Sequence, residues 1–430
     1  MPHRRKWNRT MTRRDAIRAV AADAVAAIGG ASLIRGGHAE PAKSQPASSD
    51  TVRTSGGGAI RLERQATGSE VWQVTTEKVG QSNIYCEVPY CSGDSRYFVY
   101  ERRLADRTAK NRTELMVVEL GTWEQRRLDL CAGMTGGAIS PAGILYYLKR
   151  SDDGSVNLMR ADLAKREPAK VCRLEGTDRF KSLGTVTTDG RFYACGVGLD
   201  DQYKMFGVLL VALPDGNQKI IDRDPFILNP HPQFEPGEGA QLMIQHNRGG
   251  SYKPDGTLER LVGPEGATLY LLSIADGKRT ELQVGKPYTT PATGHEAWIG
   301  ASKEILLTVS ASGDFAADKG NLLAEAAGRP ARVVAKGYRF GHVGVSRCGR
   351  LFSCDDVQGQ CKVVIGSIRT GKSAVVCEAR TSMGRAQNTH AHPYLTPDLK
   401  WVIFNSDRSG WPHIHAASVP EGMVEELLRE

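Results

Sequence analysis

Five histidines, His231, His295, His342, His390 and His392, stand at matching points of a repeating sequence pattern. The chain has ten histidines in 430 residues, two of them near its start, so more than half of the other eight share this placement. An imidazole can hold or release a proton near neutral pH and can ligate a borderline metal ion. His390 and His392 are two residues apart, and alternate residues of a strand point the same way. Gln387 lies three residues upstream and can fold over from the preceding loop. Imidazole nitrogens with an amide oxygen, and no thiolate, suit a divalent ion such as Mn²⁺.

The elements that must position these side chains are strands. A turn containing Gly, Pro or Asp followed by a β-branched, aliphatic and aromatic run occurs seven times, as in Thr188-Asp189-Gly190 before Phe192-Tyr193-Ala194 and Thr396-Pro397-Asp398 before Trp401-Val402-Ile403-Phe404. Markers at Asp94, Pro141, Asp189, Pro236, Ala301, Cys348 and Pro397 are separated by 47, 48, 47, 65, 47 and 49 residues. Each period has room for four short strands and shows no helical periodicity between them. Such a period predicts an all-β fold, a seven-bladed β-propeller over residues 59–430. The five histidines precede their markers, on the innermost strand of blades four to seven, and should converge on the propeller axis. The one long step predicts an insertion within 249–290 on the binding face. His413 and His415 fall in an outer strand of the last blade.

The net charge of +8 does not describe the body of the protein. Residues 1–39 hold eight Lys and Arg against Asp15 and Asp23, so most of the excess lies there and a nucleic-acid footprint is not supported. Thr12-Arg13-Arg14-Asp15-Ala16-Ile17-Arg18 resembles a twin-arginine export motif, followed by an alanine-rich stretch and Gly37-His38-Ala39. The expectation is an export signal over 1–39, a Pro/Ser/Gly linker over 40–58, and a periplasmic or secreted protein with no stable membrane insertion. Export permits disulfides, and Cys86/Cys91 or Cys354/Cys361 are spaced for local bridges. Most of the nine cysteines read as small buried strand residues. No GxSxG elbow or phosphate-binding Gly-Lys loop is present.

Gln387-Asn388-Thr389-His390-Ala391-His392-Pro393, with Thr396-Pro397-Asp398 and Phe404-Asn405-Ser406-Asp407, resembles the last-blade motif of the oligogalacturonate lyases. Gly294-His295-Glu296-Ala297-Trp298 is similar to the metal-histidine motif of that family, and Ser82-Asn83-Ile84-Tyr85 to its first blade. The resemblance implies that His295, Gln387, His390 and His392 bind Mn²⁺, with His342 beside them. His231-Pro232-Gln233-Phe234, with His246 fifteen residues later, resembles the stretch holding the catalytic base, and both histidines stand as candidates. The implied reaction is β-elimination of a 4-linked uronide in an acidic oligosaccharide. A cation on the uronate carboxylate spreads the charge that develops when C5 loses its proton, and it also keeps a nearby imidazole neutral. Arg248 is placed to clamp that carboxylate, and Glu296 to orient a ligand histidine. The competing expectation is a non-catalytic periplasmic binding propeller of the Tol type, which needs no axial metal.

Overall fold

The computed structural model describes residues 58–105, 108–109, 111–132, 136–176, 179–263, 266–283, 292–309 and 320–430. The expected export signal and all but the last residue of the expected linker lie outside the described residues. Among the described residues no helix is long and apolar enough to cross a membrane.

Seven antiparallel blades follow one another around a ring, blades four and five joined into one sheet by the pairing of Ala267 with Ala292, and every repeat marker falls in the turn between the first and second strands of its blade. In blade three, for example, Asp189 lies between Phe180–Val186 and Phe192–Gly198. The recurrence of Ser or Thr in these turns has a direct cause. Ser92 Oγ, Thr187 Oγ1 and Thr396 Oγ1 each donate to the Asp two residues on, at 2.6–2.7 Å. Each hydroxyl oxygen also accepts the backbone N–H that opens the next strand, at 3.0–3.1 Å. The hydroxyl thus satisfies donors that the tight turn would otherwise leave unpaired.

Along each strand, successive side chains enter different neighbouring interfaces. Tyr97 and Val99 pack between blades one and two, whereas Phe98 and Tyr100 pack between blades seven and one. Seven apolar cores result, one for each pair of adjacent blades. The ring closes by strand addition: Glu70–Gln73 pairs with His413–Ser418 of the last blade, with Trp72 opposite Ala416. Ile60–Arg64 then covers the outside of that sheet. Closure leaves only short edges exposed.

The expected insertion is present as a hairpin, Ser251–Tyr252 with Leu258–Arg260, between the second and third strands of blade four. The two local bridges that export would permit do not form: none of the nine cysteines is in a disulfide. Cys86 lies in the core between blades one and two and Cys91 in the core between blades seven and one, while Cys354 and Cys361 occupy the cores on opposite sides of blade six. The members of each pair thus face different interfaces.

Blade one departs from the pattern in a way that shapes the centre. Its innermost strand is reduced to Gln81–Ser82 and an isolated bridge at Cys91. Between them, residues 83–90 run inward across the hub, turned by Ile84 at φ 72, a conformation that a β-branched residue rarely adopts. Tyr90 Oη donates to Gly137 O of blade two at 2.9 Å. On the other side, the Cys86 carbonyl passes so close to blade six that a Cβ on Gly344 would meet it at 2.4 Å. Gly344→Ala is therefore expected to cost about 1–3 kcal/mol through overpacking, read as a lower denaturation midpoint. An unchanged midpoint would show that blade one does not fill the hub as described.

Candidate metal centre at the hub

His231 and His392 share a local design that begins in the backbone. Each precedes a proline, two residues before the short innermost strand of its blade, Gln233–Phe234 or Tyr394–Leu395. Both have a left-handed backbone, φ 42 and φ 43, a costly conformation that functional sites tolerate when surrounding packing enforces it. His342 sits inside Phe340–Val345 and His295 inside Ala292–Trp298. Gln387 opens a single 3-10 turn, Gln387–Thr389, and its backbone carbonyl accepts from His390 N at 3.0 Å. Its amide oxygen is shielded from solvent.

The structure brings four of the five histidines into mutual contact and sets His231 on the far side of Tyr85. Ring centroids lie 4.4 Å apart for His295 and His342, 4.2 Å for His342 and His392, and 5.1 Å for His342 and His390. His342, His390 and His392 each offer a ligand atom within 4.8 Å of the other two. Tyr85 of blade one lies between this group and His231, its ring centred 4.8 Å from His392 and 5.5 Å from His231. All of these side chains are buried.

His342 is more than a bystander. Its N–H donates to Asp355 Oδ1 at 2.6 Å, and its Nδ1 pairs with Asp355 Oδ2 at 2.7 Å. That pairing fixes the ring and leaves Nε2 as its ligating nitrogen, as a carboxylate does behind a metal-bound imidazole. Nδ1 of His295, Nδ1 of His390 and both ring nitrogens of His392 have no hydrogen-bond partner although they are buried. Buried imidazole nitrogens left unpaired are costly, and a cation among them would satisfy several at once. The donor set fits a divalent ion of the Mn²⁺ or Zn²⁺ kind.

Glu87 and Asp355 have no role in the sequence-based expectations. Glu87 Oε1 lies 2.8 Å from His231 Nδ1, and Gln233 Nε2 donates to Oε2 at 3.0 Å. The other nitrogen of His231 lies 2.9 Å from Asn229 Nδ2. Blade one is irregular where Glu87 occurs, so only its isolation in the apolar run Ile84-Tyr85-Cys86-Glu87-Val88 marks it. Glu296, in contrast, is fully buried with neither carboxylate oxygen partnered.

Two expected site residues lie apart from this group. His246 is the next-to-last residue of the second strand of blade four, Gln241–Asn247, and its ring faces Asp224 of blade three. Its Nε2 donates to Asp224 Oδ1 at 3.0 Å, and its ring packs on Phe226 and Tyr270. Arg248 follows at the root of the extra hairpin, where its carbonyl accepts from Gly263 N. Both still share the propeller face of the cluster, because Gln245 N and Asn247 N donate to Pro230 O and Phe226 O in the segment leading to His231. His413 and His415 lie in the third strand from the hub, where His415 stacks on Phe404.

The electrostatics divide the hub in two. Burial lowers the His295 and His392 imidazoles well below their ordinary value, and repulsion among neighbouring imidazoles adds to it. Burial also opposes charge on His231, but the Glu87 carboxylate and its hydrogen bond prevail and raise it to about 9. Burial and the Glu87 charge together raise Glu296 to about 8. In chelator-treated protein, His231 should hold its proton through neutral pH and release it as pH rises through about 9. His295 and His392 should stay neutral as pH falls through 6.5. Imidazole nitrogen shifts followed by NMR check this, and a single common titration near 6.5 would contradict it.

No protein-family model matches the chain. Over 61 residues, 13% of the chain, it is 39% identical to an oligogalacturonide lyase of Pectobacterium atrosepticum and to an oligogalacturonate lyase of Dickeya dadantii. The matched segment spans only 16% of the length of each of those proteins. Among solved structures, an oligogalacturonate lyase in complex with manganese superposes with a TM-score of 0.63 at 18% identity, covering 86% of this chain and 99% of that one. An oligogalacturonate lyase from Vibrio parahaemolyticus gives 0.63 at 17% identity, with the same coverage. The chain thus resembles the oligogalacturonate lyases twice, in a short stretch of sequence and in the seven-bladed fold as a whole.

Proposed function

We propose that this protein is a lyase that cleaves 4-linked uronides, oligogalacturonate or a related acidic oligosaccharide, by metal-assisted β-elimination outside the cytoplasm. The observation that carries the proposal is the convergence of three buried imidazoles from blades six and seven at one point of the hub, with unpaired nitrogens on His390, on His392 and on the neighbouring His295 of blade five. His342, His390 and His392 would hold the ion, with His295 against them and Gln387 one turn away. Bound there, a divalent cation supplies Lewis-acid stabilisation of the uronate carboxylate. A binding propeller of the Tol type has no need of such a set.

The bond changes define what the protein groups must do. A base takes the C5 proton, the C5–H electron pair becomes the C4–C5 double bond, and the C4–oxygen bond breaks, its oxygen leaving with a proton. Of the two candidate bases, His246 is the better supported. Burial opposes ionisation of Asp224, but His246, the Phe226 N–H and Arg279 hold it at about 2. Asp224 therefore stays charged and keeps a proton on Nε2 of His246, which leaves Nδ1 to accept one. His246 also reaches solvent, with about 19% of its side chain exposed. His231 is the weaker candidate, since Glu87 and Asn229 hold both its nitrogens and it keeps its proton. Arg248, two residues from His246 on the same face, is the proposed clamp for the substrate carboxylate.

Oligogalacturonides treated with the mature protein and Mn²⁺ should yield products that absorb in the ultraviolet, and chelator should abolish the signal. His390→Ala/His392→Ala should lose the ion held by these histidines and at least about 10²-fold in rate. Equal metal content in variant and parent would remove the site. His246→Ala should lose about 10²–10⁴-fold in kcat while retaining metal. Full activity in that variant, with loss in His231→Ala instead, would reassign the base.

A further inference from the structure

Beside the histidine group the hub holds a second set of convergent donors. Glu87, His231 and Glu296 come from blades one, four and five, and each offers a ligand atom within 4.8 Å of the other two. Their exposures are 5%, 7% and 0%, so bulk water does not solvate them. Glu87 is satisfied by His231 and Gln233. Glu296 is not: both of its oxygens are buried without a hydrogen-bond partner. A carboxyl group in that position is costly in either form, because the anion lacks donors and the acid lacks an acceptor for its proton.

The orientation of Glu296 is fixed by packing. Trp298, on the same face of the strand, fills the core between blades four and five, and its Nε1 donates to Gln233 O at 3.0 Å. Gln233 Nε2 donates to Glu296 O at 2.7 Å as well as to Glu87. The two glutamates and His231 are therefore held around one gap by a shared scaffold rather than by their mutual attraction.

We propose that Glu87, His231 and Glu296 bind a second divalent cation, separate from the ion held by His342, His390 and His392. The ion would take the place of the proton between His231 Nδ1 and Glu87 and give Glu296 the partner it lacks. Two carboxylates and an imidazole form a donor set for Mn²⁺, Fe²⁺ or Zn²⁺. Two negative charges also neutralise a divalent ion, which makes its burial tolerable. Such an ion would tie blades one, four and five together across the hub. The proposal does not depend on the lyase reading, since metal content is measured without substrate.

The test is a metal count on the full chain, stripped with chelator, reloaded with Mn²⁺ and freed of excess by gel filtration. Wild type should retain about two ions per chain and His390→Ala/His392→Ala about one. Glu87→Gln and Glu296→Gln, close in shape to the parent, should each retain about one ion and keep the histidine site. Mn²⁺ should still raise the melting temperature of both glutamine variants, by less than in wild type, which shows that they fold. One ion in wild type and in both glutamine variants would mean that the gap holds only a proton. Two ions in every variant would mean surface binding. Either result overturns the proposal. Retention of an ion by wild type and the histidine variant but not by Glu87→Gln would support the second site and sink the first.

Discussion

Titratable groups at the hub of this propeller have lost their water, and the consequences of that loss organise the rest of the site. Neutral imidazoles tolerate burial, so His295 and His392 give up their protons readily. Carboxylates do not, and each must find a partner: Asp355 takes His342, and Glu87 takes His231. Glu296 finds none. His295 and His392 are thereby left neutral, each with a lone pair on one ring nitrogen, the form in which imidazole binds metal. The glutamate side keeps a proton on His231. A single environment sets two protonation states a few ångströms apart.

The fold makes this possible through strand alternation. In a propeller the two faces of an innermost strand look into different interfaces, so consecutive residues serve different sites. His295 points toward His342 and Glu296 toward His231 and Glu87. The apolar neighbours confirm the parity: Ala297 lies in the core between blades five and six, Trp298 in the core between blades four and five. The irregular inner segment of blade one then closes the channel, bringing Tyr85 and Glu87 to groups far away in sequence. Gly344 is the space that this crossing requires.

Much of this was legible in the sequence because turn chemistry is local. The Ser or Thr with its Asp, and the Gly and Pro around them, mark a turn wherever they occur, so the blade count and the place of the five histidines followed from spacing. What spacing cannot convey is direction. His246 stands two residues before Arg248 in the second strand of its blade, yet its parity turns the ring toward Asp224 and away from the axis. Cysteine pairing stayed open in the sequence for the same reason, since residues as near in the chain as Cys86 and Cys91 enter different cores. Glu87 was hidden by the one blade whose inner strand is broken, where no repeat register exists to predict what faces the hub. Its partner is 144 residues away in His231.

Charge balance connects the two proposed cation sites to the proposed substrate. Three buried carboxylates, Asp355, Glu87 and Glu296, touch or reach the hub imidazoles. With the proton on His231 and Glu296 raised to about 8, the glutamate side is close to neutral at neutral pH without an ion. As pH rises through about 8 to 9 it would lose both protons and leave two buried negative charges, which at short range and low dielectric repel the carboxylate of a uronide. A second divalent ion in place of those protons would hold the balance near neutral at the higher pH, so that an acidic sugar still approaches the face on which His246 and Arg248 stand. A buried ion that never touches substrate could therefore extend the pH range over which an anionic substrate binds, through the field at the mouth of the channel.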